Sequence, residues 1–179
     1  YPATYRFHAS LPSARRVLSK MVSEFFQRLP DRYISQLSKV GLSLHEAVIF
    51  ASLIEKEAFH VKEMNKISEV IWNRLKTKQA LGIDATIIYG LGKAYKGDLK
   101  RKHLRDATNP YNTRVHVGLP PGPIGSPSRQ ALQAVLEPTE KGYFYYVLIP
   151  DGSKGHHFSK TLAEHNIYVR RLVRASQDL

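Results

Sequence analysis

One segment of the chain can form a stable helix only if other parts of the protein surround it. Residues 43–59 start with Ser43, which can cap a helix, and Glu46 follows three residues later, the spacing of a capping box. Seven of the eight residues from Ala47 to Ile54 are apolar, so they cover every side of the helix. Such a helix is buried. The segment predicts the centre of a core, and 179 residues are enough to build that core as one domain, residues 1–179.

The other apolar patterns predict helices on both sides of this segment and near the end of the chain. Apolar side chains recur at three- and four-residue steps in residues 10–29, ahead of Pro30, and again in residues 61–78. Shorter helices are predicted for residues 129–136 and from Thr161 to about Ala175.

A hairpin is predicted between the last two helices. Residues 143–149 have the length and apolar content of a buried strand, and Asp151 with Gly152 forms a turn into a second strand around His157 and Phe158. Helices thus flank a small, mainly antiparallel sheet, which is an α+β fold.

The middle of the chain is predicted to be irregular. Beyond Leu81 glycines interrupt the sequence and residues 92–106 are basic and polar, which indicates loops with one short helix. Residues 109–128 hold five of the ten prolines, so the backbone there is stiff and extended. A stiff segment loses little entropy when a polymer binds to it. This Pro/Gly-rich stretch is therefore a candidate groove wall, although a structural loop over the core fits equally well.

The composition excludes several kinds of site. No cysteine is present, which rules out disulfides, thiolate zinc sites and cysteine nucleophiles. The histidines at 156, 157 and 165 match no common metal-site spacing, and we expect neither a metal ion nor another cofactor. The sequence contains no apolar stretch of about 18 residues that would span a membrane. The net charge of +12 favours a polyanionic partner: nucleic acid, anionic lipid or an acidic wall polymer.

The charged sequence Glu55-Lys56-Glu57 directly follows the apolar run and is the main candidate for chemistry. A carboxyl group at the edge of a buried helix loses solvation, so its pKa rises and it can stay protonated near neutral pH, as a general acid must. Residues two apart on a helix point about 200° apart, so at most one of the two glutamates can face a given cleft. The alternative is that the helix simply emerges into solvent here.

Six short stretches, in this order along the chain, resemble the YceG-like family of bacterial proteins. They are ASLIEKEA (51–58), NRL (73–75), LGIDAT (81–86), YNT (111–113), GLPPGPI (118–124) and HHF (156–158). The family consists of membrane-anchored endolytic murein transglycosylases. The resemblance therefore implies cleavage within peptidoglycan strands, between N-acetylmuramic acid and N-acetylglucosamine, leaving a 1,6-anhydro end.

The resemblance also implies which residues form the site. The family has one catalytic glutamate in the Glu-Lys-Glu segment, and we assign it to Glu57 because a small residue, Ala58, follows it; Glu55 is the second candidate. Many relatives have threonine or serine where this chain has Ala58. An alternative role for Asp84 is to cap or brace a loop. The residues expected to hold glycan are Asp84, Tyr111, Asn112, Thr113, Pro121, Gly122, Ile124, His157 and Phe158.

Further expectations concern location and partners. The resemblance implies an N-terminal membrane anchor and a small N-terminal module outside these 179 residues. The catalytic part is then expected on the extracytoplasmic or periplasmic side of the bacterial cytoplasmic membrane. Its partners would be peptidoglycan strands, cell-wall synthases and division proteins. Nucleic acid is not expected as a partner. Two alternatives stay open: a non-catalytic peptidoglycan-binding module, and a basic nucleic-acid-binding domain around residues 93–105.

Overall fold

The computed structural model describes residues 1–7 and 12–177. Within these ranges the chain forms eight α-helices and one antiparallel hairpin, the α+β class that the sequence predicts. In chain order the elements are α1 (Ala14–Gln27), α2 (Tyr33–Lys39), α3 (Leu44–Glu57), α4 (Met64–Lys76), α5 (Asp84–Leu91), α6 (Arg101–Leu104), α7 (Arg129–Leu136), β1 (Tyr145–Leu148), β2 (His156–Ser159) and α8 (Leu162–Gln177), with 3₁₀ turns at Val61–Glu63 and Gly92–Ala94.

Helix α3 forms the centre of the core, as its apolar sequence predicts. Its N-terminus is a capping box: the Ser43 hydroxyl accepts a hydrogen bond from the backbone N–H of Glu46, and the Glu46 carboxylate accepts one from the backbone N–H of Ser43. Every residue from Ile49 to Ile54 is buried. Helices α2, α4, α5 and α7 pack around α3, so mainly its first and last turns reach solvent.

Helices α4 and α7 pack on α3 and on each other. The indole N–H of Trp72 on α4 donates to the backbone carbonyl of Val135 on α7 over 2.8 Å, and the Trp72 ring lies 5.3 Å from that of Phe50. Helix α7 has the bounds that its sequence predicts. The helix predicted over residues 61–78 begins as a 3₁₀ turn and becomes α-helical at Met64.

The hairpin lies between the core and the C-terminal helix. Its register places Tyr146 opposite Phe158 and Val147 opposite His157. One face packs on the core, and α8 covers the other. The strand predicted over residues 143–149 is correct in position but wrong in extent and burial: β1 has four residues, three of them half-buried and one exposed. The exposed residue, Leu148, is the last of the strand and lies next to the hairpin turn.

Two helices depart from the prediction. The sequence pattern does not predict α2, because only Tyr33 and Leu37 are buried in this short element. The region predicted as loops with one short helix contains two, the eight-residue α5 and the four-residue α6. Three of the glycines that suggested loops stand at the ends of α5: Gly82 precedes the helix, Gly90 lies in its last turn, and Gly92 is its C-cap.

Helix α1 begins at Ala14, where the Ser13 side chain accepts a hydrogen bond from the backbone N–H of Arg16, and it ends ahead of Pro30 as predicted. The predicted start at Ser10 lies outside the described residues. Over residues 1–7 and 12–177, no single helix is long and apolar enough to cross a bilayer; α2 and α3 reach that length and apolarity only together, and they meet at 95°.

Candidate active site

Glu57, the last residue of α3, places its carboxyl group where the core meets the hairpin. The hydroxyl of Tyr146, on β1, donates a hydrogen bond to Glu57 Oε2 over 2.7 Å. Glu57 is half-buried, and Tyr146 packs against the core. The carboxyl group therefore does not emerge freely into solvent at the end of the helix.

Burial raises the pKa of Glu57, because ionisation would place a charge where water is largely excluded. The hydrogen bond from Tyr146 and the positive charge of His156 act in the opposite direction, while the negative charge of Asp84 adds to the rise. Since burial prevails, Glu57 stays protonated over a wider pH range than an exposed glutamate. Burial and the neighbouring charge of Glu57 also raise the pKa of Tyr146 well above its ordinary value, so its hydroxyl remains a donor.

The register of the hairpin decides which of its residues reach this site. Opposed residues of an antiparallel pair share a face, and neighbours along one strand point to opposite faces. Tyr146, His156 and Phe158 lie on the face towards the core. His157 lies on the other face, where its ring stacks on Tyr168 of α8 with 4.1 Å between ring centroids. The structure brings Phe158 to the Glu57 side of the hairpin and does not bring His157 there.

Sequence reasoning missed Tyr146 and His156 as residues of the site. The signal that could have found them is the two-residue period of a strand. Once Phe158 is placed inward, His156 must share its face, and pairing across the turn adds Tyr146.

Glu63, in the 3₁₀ turn after α3, binds His156 at two points. The backbone N–H of His156 donates to Glu63 Oε1 over 3.0 Å, and the imidazole Nδ1 lies 2.9 Å from Oε2. Glu63 is only 6% exposed. Burial alone would raise the pKa of Glu63, but the hydrogen bonds from His156 together with the charges of His156 and His60 outweigh it and lower the pKa, which favours the ionised carboxylate.

Glu55 points to a different part of the molecule from Glu57. Its carboxylate accepts hydrogen bonds from the backbone N–H and the hydroxyl of Ser128, at 3.0 and 2.6 Å. Ser128 is the N-cap of α7 and also accepts a bond from the backbone N–H of Ala131. The two glutamates thus bind partners on different elements, Glu55 at the start of α7 and Glu57 on β1. In this structure Glu55 braces the start of α7.

Two predicted glycan contacts, Asn112 and Thr113, are buried, and we revise their role. The Asn112 amide donates to the backbone carbonyls of His103, Leu104 and Asp106, and its oxygen accepts from the backbone N–H of Arg114. The Thr113 hydroxyl accepts from the backbone N–H of Ile83, at the start of α5. Their side chains are 0% and 1% exposed, so they hold loops together beneath the surface and cannot touch a sugar.

The Pro/Gly-rich loop is fixed to the core from below. The backbone N–H of Ile124 donates to the Ser52 hydroxyl of α3 over 3.0 Å, and the Ile124 side chain belongs to the core rather than to a groove wall. Gly122 is also buried, and a side chain there would meet the hydroxyl of Tyr111. Pro121 is exposed. Of the four predicted contacts in and beside this loop, the structure leaves Pro121 and the half-buried Tyr111 accessible.

Asp84 is the first residue of α5, and its carboxylate accepts a hydrogen bond from Arg114 Nε over 2.8 Å. About half of the side chain is exposed, at 49%. Asp84 thus holds the loop after Asn112, which is the alternative role that the sequence analysis gives it. Its negative charge also raises the pKa of Glu57.

The arrangement supplies one carboxyl group with a raised pKa beside a hydrogen-bond donor. Tyr146 donates a hydrogen bond to it in either state, and the charge of His156 favours the ionised form. Within residues 1–7 and 12–177, no three histidine, aspartate or glutamate side chains are placed to hold a metal ion.

Comparisons with known proteins agree with this architecture. An endolytic murein transglycosylase of Bacillus subtilis (strain 168) is 36% identical over 166 residues, which are 93% of this chain and 45% of that protein. The endolytic murein transglycosylase of Streptococcus pneumoniae serotype 2 is 30% identical over 150 residues, covering 82% of this chain and 27% of that protein. This chain spans less than half the length of these two relatives.

The fold is also found in a known crystal structure. A YceG-like protein from Listeria monocytogenes matches with a TM-score of 0.84 and 35% sequence identity, over 93% of this chain and 53% of that one. Residues 1–171 match the sequence profile of the YceG-like family. Since the match runs through every described helix but the end of α8, this chain belongs to the YceG-like family.

Proposed function

We propose that this chain is the catalytic part of an endolytic lytic transglycosylase that cleaves peptidoglycan strands between N-acetylmuramic acid and N-acetylglucosamine. The observation that carries the proposal is the Glu57 carboxyl group, whose pKa is raised by burial and which accepts a hydrogen bond from Tyr146. The names of the Bacillus and Streptococcus relatives support peptidoglycan as the substrate.

In the proposed reaction one acid performs both proton transfers. Protonated Glu57 donates its proton to the glycosidic oxygen, and the bond from that oxygen to the anomeric carbon of the muramic acid residue breaks. The C6 hydroxyl of the same sugar attacks this carbon and releases its proton to the Glu57 carboxylate. The products are a 1,6-anhydro end and a free hydroxyl on the leaving sugar. Water is not consumed, and Glu57 returns to its protonated state.

A single carboxylate suffices because the nucleophile belongs to the substrate. Glycosidases that use water generally need two carboxyl groups, one as acid and one as nucleophile or base. Attack within one sugar gains from proximity, so the second group is unnecessary. The placement of Glu55 supports this reading, since its carboxylate is engaged by Ser128.

The surroundings of Glu57 suit both of its states. Burial favours the acid before proton donation, and the Tyr146 hydroxyl with the positive charge of His156 stabilises the carboxylate formed afterwards. Aromatic faces suit sugar rings, which makes Phe158 and the accessible Tyr111 the leading glycan contacts.

The remaining features of the proposal rest on family membership and charge. A net charge of +12 suits a substrate rich in lactyl-peptide carboxylates. We infer a location on the extracytoplasmic or periplasmic side of the bacterial cytoplasmic membrane, with cell-wall synthases and division proteins as further partners.

The test is digestion of purified peptidoglycan by the 179-residue chain, with mass spectrometry of the products. The wild-type chain should produce anhydro-muramyl ends from within strands, and Glu57→Gln should produce none while still binding peptidoglycan. Glu140→Gln, at an exposed position, is the matched control and should keep full activity. Binding without anhydro ends in the wild-type chain would favour a non-catalytic peptidoglycan-binding module instead.

A further inference from the structure

His156 acts on the charge of Glu57, whereas its hydrogen-bond partner Glu63 has no part in the proposed reaction. Glu63 holds both the backbone N–H and the Nδ1 of His156. Within the described residues His156 Nε2 has no hydrogen-bond partner, so Glu63 provides the only hydrogen bond to the ring. The carboxylate also requires a proton on Nδ1, because this nitrogen donates to it.

The His156 ring in turn contacts the residue that binds the acid. It meets the Tyr146 ring edge to face, with 5.3 Å between ring centroids and 83° between the planes. This geometry is the preferred one for aromatic pairs and restricts the position of both rings. The hydroxyl of the same Tyr146 donates to Glu57. The contacts thus run without interruption from Glu63 through His156 and Tyr146 to Glu57.

The stability of the fold does not by itself explain the Glu63–His156 pair. A buried pair of opposite charges often contributes no more than apolar residues of the same size, because both groups lose their hydration. Glu63 is 6% exposed and the His156 side chain 11%. Apolar residues at both positions 63 and 156 would avoid that cost, and one at position 156 would still pack against Tyr146 and Phe158.

We propose that Glu63 and His156 are positioning residues for the catalytic acid: Glu63 fixes the imidazole, and the imidazole fixes the Tyr146 ring so that its hydroxyl stays on Glu57. The inference rests on the proposed function, because it concerns the same acid. The titratable and charged groups that act on Glu57 are Tyr146 from β1, His156 from β2 and Asp84 from α5, and Arg74 from α4 acts on Tyr146.

The first test is kinetic and uses Tyr146→Phe as a second background. In the wild-type chain, His156→Gln and Glu63→Gln should each lower kcat about tenfold with little change in KM, because the acid is misplaced rather than the substrate. In the Tyr146→Phe chain the hydroxyl is already absent. Adding either substitution to that chain should therefore lower kcat by a further factor of less than about two. Equal effects in both backgrounds, or unchanged kcat in the single variants, would overturn the proposal.

The second test does not depend on turnover. Carbon-13 NMR follows the titration of the Glu57 carboxyl group in the folded chain. Removing the negative charge of Glu63 would by itself lower the pKa of Glu57, whereas losing the Tyr146 hydrogen bond raises it. Glu63→Gln should therefore raise the pKa of Glu57, and a fall or no change would refute the route through His156 and Tyr146.

His157→Gln is the matched control, since this ring stacks on Tyr168 on the opposite face and should leave both kcat and the Glu57 pKa unchanged. If Glu63→Gln does not fold, His156→Gln replaces it in the titration. This substitution should raise the pKa of Glu57 more in the wild-type chain than in the Tyr146→Phe chain. An equal rise in both chains would contradict the proposal. If the wild-type chain makes no anhydro ends, the proposed function fails, while the titration still decides whether the pair positions Glu57.

Discussion

The hydroxyl of Tyr146 lies 2.7 Å from the carboxyl group of Glu57, and this hydrogen bond joins the end of the central helix to the first strand across 89 positions of sequence. Removing the hydroxyl alone should show how much the bond contributes. In Tyr146→Phe the rate of anhydro-end formation should fall about 10- to 100-fold, because a hydrogen bond to a charged group contributes about 1.5–3 kcal/mol.

Tyr145→Phe is the control for this change, because Tyr145 is next in sequence but its ring stacks on His165 of α8. It should digest peptidoglycan at the wild-type rate. An unchanged rate in Tyr146→Phe would mean that the Glu57 carboxyl group works without this donor.

The raised pKa of Glu57 makes stability depend on pH in a defined direction. The folded state binds this proton more tightly than the unfolded state, so the stabilisation is full below the unfolded-state pKa of about 4.3 and is lost as the pH rises through the higher folded-state value. Glutamine cannot ionise. The melting temperature of Glu57→Gln should therefore exceed that of the wild-type chain by an amount that grows with pH over this window.

Thermal unfolding of both chains between about pH 4 and about pH 8 measures this difference. Glu63 has a lowered pKa and so adds stability that is lost as the pH falls, but this contribution is common to both chains and cancels. A difference that shrinks with rising pH would contradict the assignment of a raised pKa to Glu57.

A second buried carboxylate, Glu69 on α4, holds the segment that leads into β1. It accepts hydrogen bonds from the backbone N–H groups of Lys141, Gly142 and Tyr143 and from the Thr139 hydroxyl, and it is 3% exposed. Glu69→Gln turns one acceptor into a donor facing these N–H groups. Urea unfolding should show a loss of about 2–4 kcal/mol.

Glu140→Gln, in the same segment but exposed, should change the free energy of unfolding by less than about 0.5 kcal/mol. Because Tyr146 follows this segment, the Glu69 variant should also lose peptidoglycan-cleaving activity. Full stability in Glu69→Gln would show that the hydrogen bonds can be replaced by water.

Gly122 has no room for a side chain while Tyr111 keeps its position. A Cβ atom there would lie 2.9 Å from the Tyr111 hydroxyl oxygen. Gly122→Ala should cost about 1–2 kcal/mol in the free energy of unfolding and displace the Tyr111 ring, weakening peptidoglycan binding. Tyr111→Phe removes the clashing atom, so the double variant should recover most of the stability; a double variant as unstable as Gly122→Ala would disprove this cause.

The elements that sequence analysis predicted well have only one way to bury their apolar residues. The run from Ala47 to Ile54 leaves no polar side, so its helix has to lie in the core, and the charged residues that follow mark where it leaves. Helix α7 has a clear cap at Ser128 and a proline two residues after its end. The YceG-like resemblance likewise identified the family.

The residues around Glu57 depend on contacts that a single sequence does not display. His156 and His157 are equivalent by type and nearly by position, and only the register of the hairpin decides which one faces the core. The stretch Tyr111 to Thr113 is a recognisable motif. A motif alone does not show whether its side chains bind a ligand or form buried hydrogen bonds within the protein. Tyr146 has no local signature, because its partner is on another element.

Helix α3 carries a glutamate near each end, and the helix dipole acts on them in opposite ways. Glu46, in the first turn, receives hydrogen bonds from Ser43 that lower its pKa, and the positive end of the dipole favours its charge. Glu57 lies at the negative end, which opposes ionisation and adds to the effect of burial. If the same helix ran through the core in the reverse direction, its electric field would draw the proton away from the acid. The polarity of the backbone therefore helps to hold the proton that the proposed reaction takes from Glu57.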